Sequence, residues 1–197
     1  AGVKRFTIGV ESGSQRVLDL IKKDVTVEEV VEANRKLAPY DIVPLYLFMM
    51  GLPTETPDEL RQSIELADRL IAENPKACKT FNIYTPYPGT ELYDLALEMG
   101  MRVPERLEDW ASFNFRNVAA HSPWIDPATK RLVENLDFPL MFLGGNFPAP
   151  YRRTSRLVVS LARLYAPVAR HRVRKLDVRL PIESKVVKAL GLFGRQD

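Results

Sequence analysis

Three times between residues 6 and 100 the chain repeats one pattern: a short β-branched or aromatic run, a polar turn bearing glycine or proline, then an amphipathic segment. Each repeat is about 40 residues long or a little less. Strand–helix units repeated in this way build a parallel sheet or barrel with right-handed crossovers, and three are too few to close a barrel. The first unit runs from Phe6 through Glu11-Ser12-Gly13-Ser14 into a helix expected over 14–23, with Val17, Leu18 and Ile21 on one face. The basic pair Lys22-Lys23 at its end suits the helix dipole. Thr26 and Glu29 form a capping box for a second helix, which stops before Pro39.

The run from Ile42 to Met50 is almost continuously apolar, which predicts a strand covered on both faces. Pro44 lacks an N–H, so pairing is expected from Leu45 onward. The run ends at Gly51-Leu52-Pro53-Thr54-Glu55, and Thr56-Pro57-Asp58-Glu59 then supplies an N-cap, a first-turn proline and a capping-box glutamate. Leu60, Ile64, Ala67 and Ile71 give the following helix its buried stripe. A third strand is expected over 80–85, closing at Pro86-Tyr87-Pro88-Gly89. A helix over 90–99 follows, with Gly100 as its stop.

From Met101 to Trp124 the pattern is irregular, and Trp110, Phe113 and Phe115 are expected to cap one end of the sheet. Asp126-Pro127 starts a helix to about residue 143, and 144–150 reads as a linker. The domain division expected is therefore 1–100, 101–149 and 150–197. The chain opens at Ala1 and reaches a strand within five residues, which suggests a domain whose start lies upstream.

Composition narrows the chemistry by exclusion. A single cysteine, Cys78, rules out an internal disulfide framework and an all-cysteine metal site within these residues. His121 and His171 lack a second ligand at metal spacing, and Gly9-Val10-Glu11-Ser12-Gly13 has glutamate where a nucleophile elbow needs serine. No phosphate-binding loop or dinucleotide fingerprint is present. No secretory signal and no apolar run of spanning length appears, so the expected location is cytoplasmic. What recurs is a polar or glycine feature at each strand end: Glu11-Ser12, Gly51 with Glu55, and Tyr84-Thr85-Pro86. Ligands bind at the carboxyl ends of parallel strands, so three such features at one edge predict a shared ligand site.

These strings carry a family resemblance. FTIGVESGSQRVLDLIKKDVT resembles the fourth-strand segment of radical S-adenosylmethionine (radical SAM) enzymes, LFMMGLPTETPDEL their fifth strand and turn, and FNIYTPYPGTELYDLA their sixth strand and its exit. From Trp110 onward the chain is most similar to the subgroup with a cobalamin-binding domain. The resemblance implies an α/β fold, the last three βα units of a six-unit partial TIM-type barrel, followed by a mostly helical extension. It implies that Glu11 contacts the ribose of S-adenosylmethionine with Ser12 beside it, and that Lys23 pairs with the methionine carboxylate. It further implies that Gly51 lets the strand end approach the adenine, that Glu55 stiffens the turn, and that the Tyr84-Thr85-Pro86 backbone meets the adenine edge. The cofactors implied are S-adenosylmethionine, a 4Fe–4S cluster and, for the subgroup, cobalamin. The family holds its cluster with three cysteines, and Cys78 is alone, so no metal ligand and no catalytic residue is assigned here and the chain by itself is expected to be inactive.

Two function classes follow. One is a piece of a radical SAM enzyme that methylates, cyclises or rearranges a small molecule, a lipid or a tetrapyrrole. The other is a non-enzymatic α/β module whose basic C-terminal helices bind a membrane surface or a partner. Residues 150–197 carry 12 Lys and Arg against 3 Asp and Glu, while the remainder is net acidic. Helices expected over about 151–172, interrupted at Pro167, and over 182–190 could dock on their own domain or lie on an anionic membrane through residues 151–190. Nucleic acid is the least favoured partner, since aromatic interleaving is thin.

Overall fold

The computed structural model describes residues 2–112, 122–143, 156–177 and Lys185. Three parallel strands, β1 (Arg5–Glu11), β2 (Val43–Met50) and β3 (Cys78–Ile83), lie in the order β1-β2-β3. Helices α1 (Gln15–Leu20) and α2 (Val27–Leu37) connect the first two, and α3 (Pro57–Glu73) connects the second and third. After β3 come α4 (Glu91–Glu98), a 3-10 turn at Leu107–Ser112, α5 (Pro127–Leu143) and α6 (Arg156–Arg174). This is the α/β arrangement, with a helical extension, expected of consecutive βα units. The capping boxes at Thr26/Glu29 and Thr56/Glu59 are both formed, with Pro57 in the first turn of α3.

Burial on β2 alternates strictly: Pro44, Tyr46, Phe48 and Met50 are buried, whereas Val43, Leu45, Leu47 and Met49 are half-buried. On the half-buried face Met49 packs in a cluster with Val17, Ile21 and Leu92, so the cover expected on both faces is complete only on the face of Tyr46 and Phe48. That face packs on Val30 and Val31 of α2, Leu60, Ile64 and Leu70 of α3, Val133 and Leu136 of α5, and Ala169 and Val173 of α6. Phe48 and Phe81, paired in register, stack with centroids 4.9 Å apart. The other face carries Thr7, Leu45 and Cys78 in one row and Gly9, Leu47 and Thr80 in the next. Pairing with β3 starts at Leu45, as Pro44 predicts, but pairing with β1 starts two residues earlier at Val43.

Two buried polar networks tie the layers together. Tyr46 Oη donates to Asn34 Oδ1 at 2.9 Å and Asn34 Nδ2 donates to the Leu70 carbonyl at 2.9 Å, so one network ties α2, β2 and α3. Lys79 of β3, its side chain almost wholly buried, meets Asp68 of α3 at 3.1 Å, and Arg174 reaches the other Asp68 oxygen at 3.4 Å. Burial without full compensation lowers the Lys79 pKa. Of the placements open to the basic tail, α6 takes docking on its own domain. It runs unbroken through Pro167, which is exposed, so water can satisfy the carbonyl left without a donor. Apart from Lys185, the segment 182–190, like Phe113 and Phe115, lies outside the described residues. Among the described residues no helix is long and apolar enough to cross a membrane.

The turn after β1 is pressed against α3. A Cβ on Gly13 would stand 2.4 Å from the Gln62 carbonyl oxygen and 2.7 Å from Ser63 Cα, both backbone atoms. Gly13→Ala is therefore expected to destabilise the fold by roughly 1–3 kcal/mol, the range for overpacking a rigid contact. Urea unfolding measures this, and a midpoint equal to the wild type would refute the contact.

Candidate functional site at the strand ends

β1 does not end regularly. Its register with β2 shifts between Gly9 and Glu11, so that Val10 is the extra residue of a bulge, and Glu11 itself has φ 70°. A non-glycine residue in the left-handed region stores roughly 1–3 kcal/mol and persists only where its surroundings hold it. The consequence is directional. The Glu11 carboxylate folds back over Gly9, where a Cβ would lie 2.2 Å from its Oε1, and there it receives Lys23 Nζ at 3.1 Å.

Lys23 is delivered by the end of α1, which is shorter than the 14–23 expected. The helix stops at Leu20 with Ile21 as C-cap. Lys22 N–H donates to Asp19 O at 3.1 Å and Lys23 N–H to Leu18 O at 3.0 Å, with Lys22 at φ 52°. That is a Schellman ending with lysine at the position usually given to glycine. Beyond α1, Glu11, Lys23 and Met49 form one side of a cleft of about 370 Å³, with Tyr84, Thr85 and Leu92 on the other. Lys22 and Glu91, both exposed, pair at 2.5 Å across its rim.

Tyr84 continues the β3 ladder, its N–H donating to Met50 O at 2.9 Å. Only 6% of Tyr84 is exposed, and its hydroxyl sits beside Thr90 without a hydrogen bond of acceptable geometry. Burial pushes that phenol up to about 12, so it stays neutral.

Four of the expected residues therefore meet in one cleft: Glu11, Lys23, Tyr84 and Thr85. The other four do not line it. Ser12 is fully buried and turned toward α3, its Oγ 3.2 Å from Ser63 Oγ. Pro86 is buried away from it. Gly51, at φ 76°, faces Ile125, whose Cδ1 lies 2.9 Å from where a Cβ would stand, and its carbonyl accepts from Trp124 Nε1 at 3.0 Å. Glu55 accepts from Gly51 N–H at 2.6 Å.

The turns after β1 and β2 are joined by a pair of residues to which the sequence assigns no joint role. Arg16 donates to both oxygens of Glu59, Nε to Oε1 at 2.6 Å and Nη2 to Oε2 at 2.7 Å, and Nη2 also reaches the Thr54 carbonyl at 3.0 Å. Ser14 Oγ donates to Glu59 Oε1 at 3.0 Å. Glu59 was readable only as a capping-box residue, because its other partners lie 43 and 45 positions away.

The two glutamates of this region titrate in opposite directions. The guanidinium of Arg16, with the Thr56 and Ser14 donors, holds Glu59 down to about 2. Glu55 is pushed up to about 7, chiefly by burial, which outweighs the Gly51 and Leu52 N–H groups, and its Oε1 has no partner. As pH rises from about 4.5, the unfolded chain releases the Glu55 proton before the folded chain does, so stability falls until about pH 7 and is flat above it. Glu55→Gln is expected to abolish that fall, on the order of 2–3 kcal/mol, while matching the wild type at pH 4. Thermal melts of both proteins between pH 4 and 8 check this; parallel curves would refute the buried carboxyl.

Residues 1–67 match the model of the Radical SAM superfamily. An uncharacterized methyltransferase of Pyrococcus horikoshii is 34% identical over 96 residues, covering 49% of this chain and 20% of the relative. The anaerobic magnesium-protoporphyrin IX monomethyl ester cyclase of Cereibacter sphaeroides is 30% identical over 115 residues, covering 58% and 17%. A tRNA-2-methylthio-N(6)-dimethylallyladenosine synthase of Aeromonas hydrophila is 34% identical over 96 residues, covering 48% and 19%. The chain thus spans about a fifth of the length of these curated relatives. The match over residues 1–67 takes in β1, β2 and most of α3, so the part of the chain that is similar to the Radical SAM superfamily is the part that carries the first two strand ends of the cleft.

Proposed function

We propose that the strand-end cleft binds S-adenosylmethionine and that the chain is the cofactor-holding part of a radical SAM enzyme. The observation that carries the reading is the Glu11–Lys23 pair, which places a carboxylate and an ammonium 3.1 Å apart on one wall of a cleft that Tyr84 and Thr85 close from the other. A carboxylate can accept both hydroxyls of a ribose, and an ammonium with three donors can serve Glu11 and a ligand carboxylate together. The Tyr84-Thr85 backbone is the edge offered to the adenine. A volume of about 370 Å³ lies within the range of small-molecule sites. Glu55 and Ser12 act behind the wall: Glu55 fixes the turn through Gly51 N–H, and Ser12 fixes the Glu11 turn on α3.

A 4Fe–4S cluster does not fit the residues present. Three thiolates are needed, the sequence holds Cys78 alone, and among the described residues no group of three potential ligands exists. With a cluster held by other parts of such an enzyme, S-adenosylmethionine would supply radical chemistry, and the residues here would only bind and orient it. The methyltransferase, cyclase and methylthio-transferring synthase among the relatives support methylation, cyclisation or sulfur insertion as the reaction class, and the cyclase supports a tetrapyrrole-like substrate. Cobalamin enters only through the subgroup resemblance of residues 101–197.

S-adenosylmethionine titrated into the chain is expected to bind, and Glu11→Gln or Lys23→Met to weaken binding about tenfold, near 1.4 kcal/mol. Calorimetric titration decides it, and no heat from the wild type would remove the reading. The chain alone, given iron, sulfide and reductant, is expected to yield no 5′-deoxyadenosine by chromatography.

A further inference from the structure

We infer that Arg16 and Glu59 form a positioning pair that sets both halves of the cofactor site without touching the ligand. The inference rests on the cofactor reading above and adds residues that reading does not include. Its basis is where the strain lies. Outside the helix ending at Lys22-Asp24, the two left-handed non-glycine residues near the strand ends are Glu11, at φ 70°, and Thr54, at φ 65°. They sit in different turns, one after β1 and one after β2. Neither conformation is stable by itself, so something must hold each.

The same pair reaches both turns, the first through Ser14 with Ser63 assisting, the second through Thr54. On the β1 side, the turn following Glu11 makes its side-chain hydrogen bonds to α3: Gly13 N–H to Ser63 Oγ at 2.8 Å, Ser12 Oγ with Ser63 Oγ, and Ser14 Oγ to Glu59. On the β2 side, Arg16 grips the Thr54 carbonyl at 3.0 Å and approaches its hydroxyl at 3.3 Å. Glu59, through Thr56 N–H at 2.9 Å, also fixes the residue following Glu55. A planar guanidinium set bidentately on a carboxylate resists rotation in a way a single contact does not. Glu59 is the more buried partner, 10% of its side chain exposed against 52% for Arg16, so the carboxylate is the fixed post and the arginine the strap. Release of the pair frees Thr54 and Ser14 together, and Glu11 with Ser14.

The test is made in the full-length gene product. Arg16→Met and Glu59→Gln are each expected to weaken S-adenosylmethionine binding roughly tenfold to a hundredfold, the scale of a small misplacement at a site. The double variant is expected to be no worse than the single ones. Arg16→Lys is expected to recover only part of the loss, because an ammonium cannot bind both oxygens and Thr54 in one plane. Arg35→Met is the control: Arg35 is bidentate on Glu73 at 2.7 and 3.0 Å between α2 and α3, away from both turns. It should leave affinity unchanged when all proteins are compared at equal folded fraction. Wild-type affinity in Arg16→Met, or an equal loss in Arg35→Met, would overturn the inference. Hydrogen–deuterium exchange gives a readout independent of the ligand: amides in both 11–16 and 51–56 should exchange faster in Arg16→Met. Failure of the wild type to bind S-adenosylmethionine defeats the cofactor reading instead, and the pair is then judged by exchange alone, where protection unchanged in either turn overturns it.

Discussion

Parallel pairing of three consecutive strands is the constraint from which the rest follows. A parallel ladder with helical crossovers sends every strand in one direction, so the ends at Glu11, Met50 and Ile83 share an edge whatever side chains they carry. Residues separated by some 70 positions, such as Glu11 and Tyr84, then face one another with no contact between them needed to arrange it. The local chemistry at each end decides only what is presented. At β1 a bulge and a left-handed residue present a carboxylate. At β2 a glycine turns the chain under Trp124 and Ile125, and at β3 the ladder continues one residue further and buries a phenol.

Electrostatics in this edge is sorted by depth. Glu55 and Glu59 are four residues apart, yet one is held near neutrality by burial and the other far below the usual carboxylate range by an arginine. The acid that faces the cleft, Glu11, is partly exposed and paired with a lysine that is itself partly exposed. The deep charges serve the frame.

How far these features were legible depends on the distance over which each is determined. The capping boxes at Thr26/Glu29 and Thr56/Glu59, the glycine stop at Gly100 and the three strand runs are set by residues within a few positions, and they were readable. The run from Ile42 to Met50 announced a strand but could not show that one face would be buried less fully than the other, because an all-apolar run looks the same in either case. Arg16 offers no local sign of its role, since its partners lie in the next βα unit. Lys79 lies just before the strand expected over 80–85, and only the approach of Asp68 from α3 explains why an ammonium can sit inside. Gly51, Ser12, Glu55 and Pro86 belong to the same strand-end turns as the cleft residues but do not line the cleft, a distinction that spacing along a chain does not contain.

Lys22 shows what that edge demands of the backbone. By the ordinary rules of helix termination its place belongs to glycine, which would adopt the same torsion freely. A side chain there brings a second ammonium to the rim and a tether to Glu91, and the left-handed torsion aims the next residue, Lys23, inward. One backbone torsion thereby sends two neighbouring ammonium groups apart, Lys22 across the rim to Glu91 and Lys23 onto Glu11.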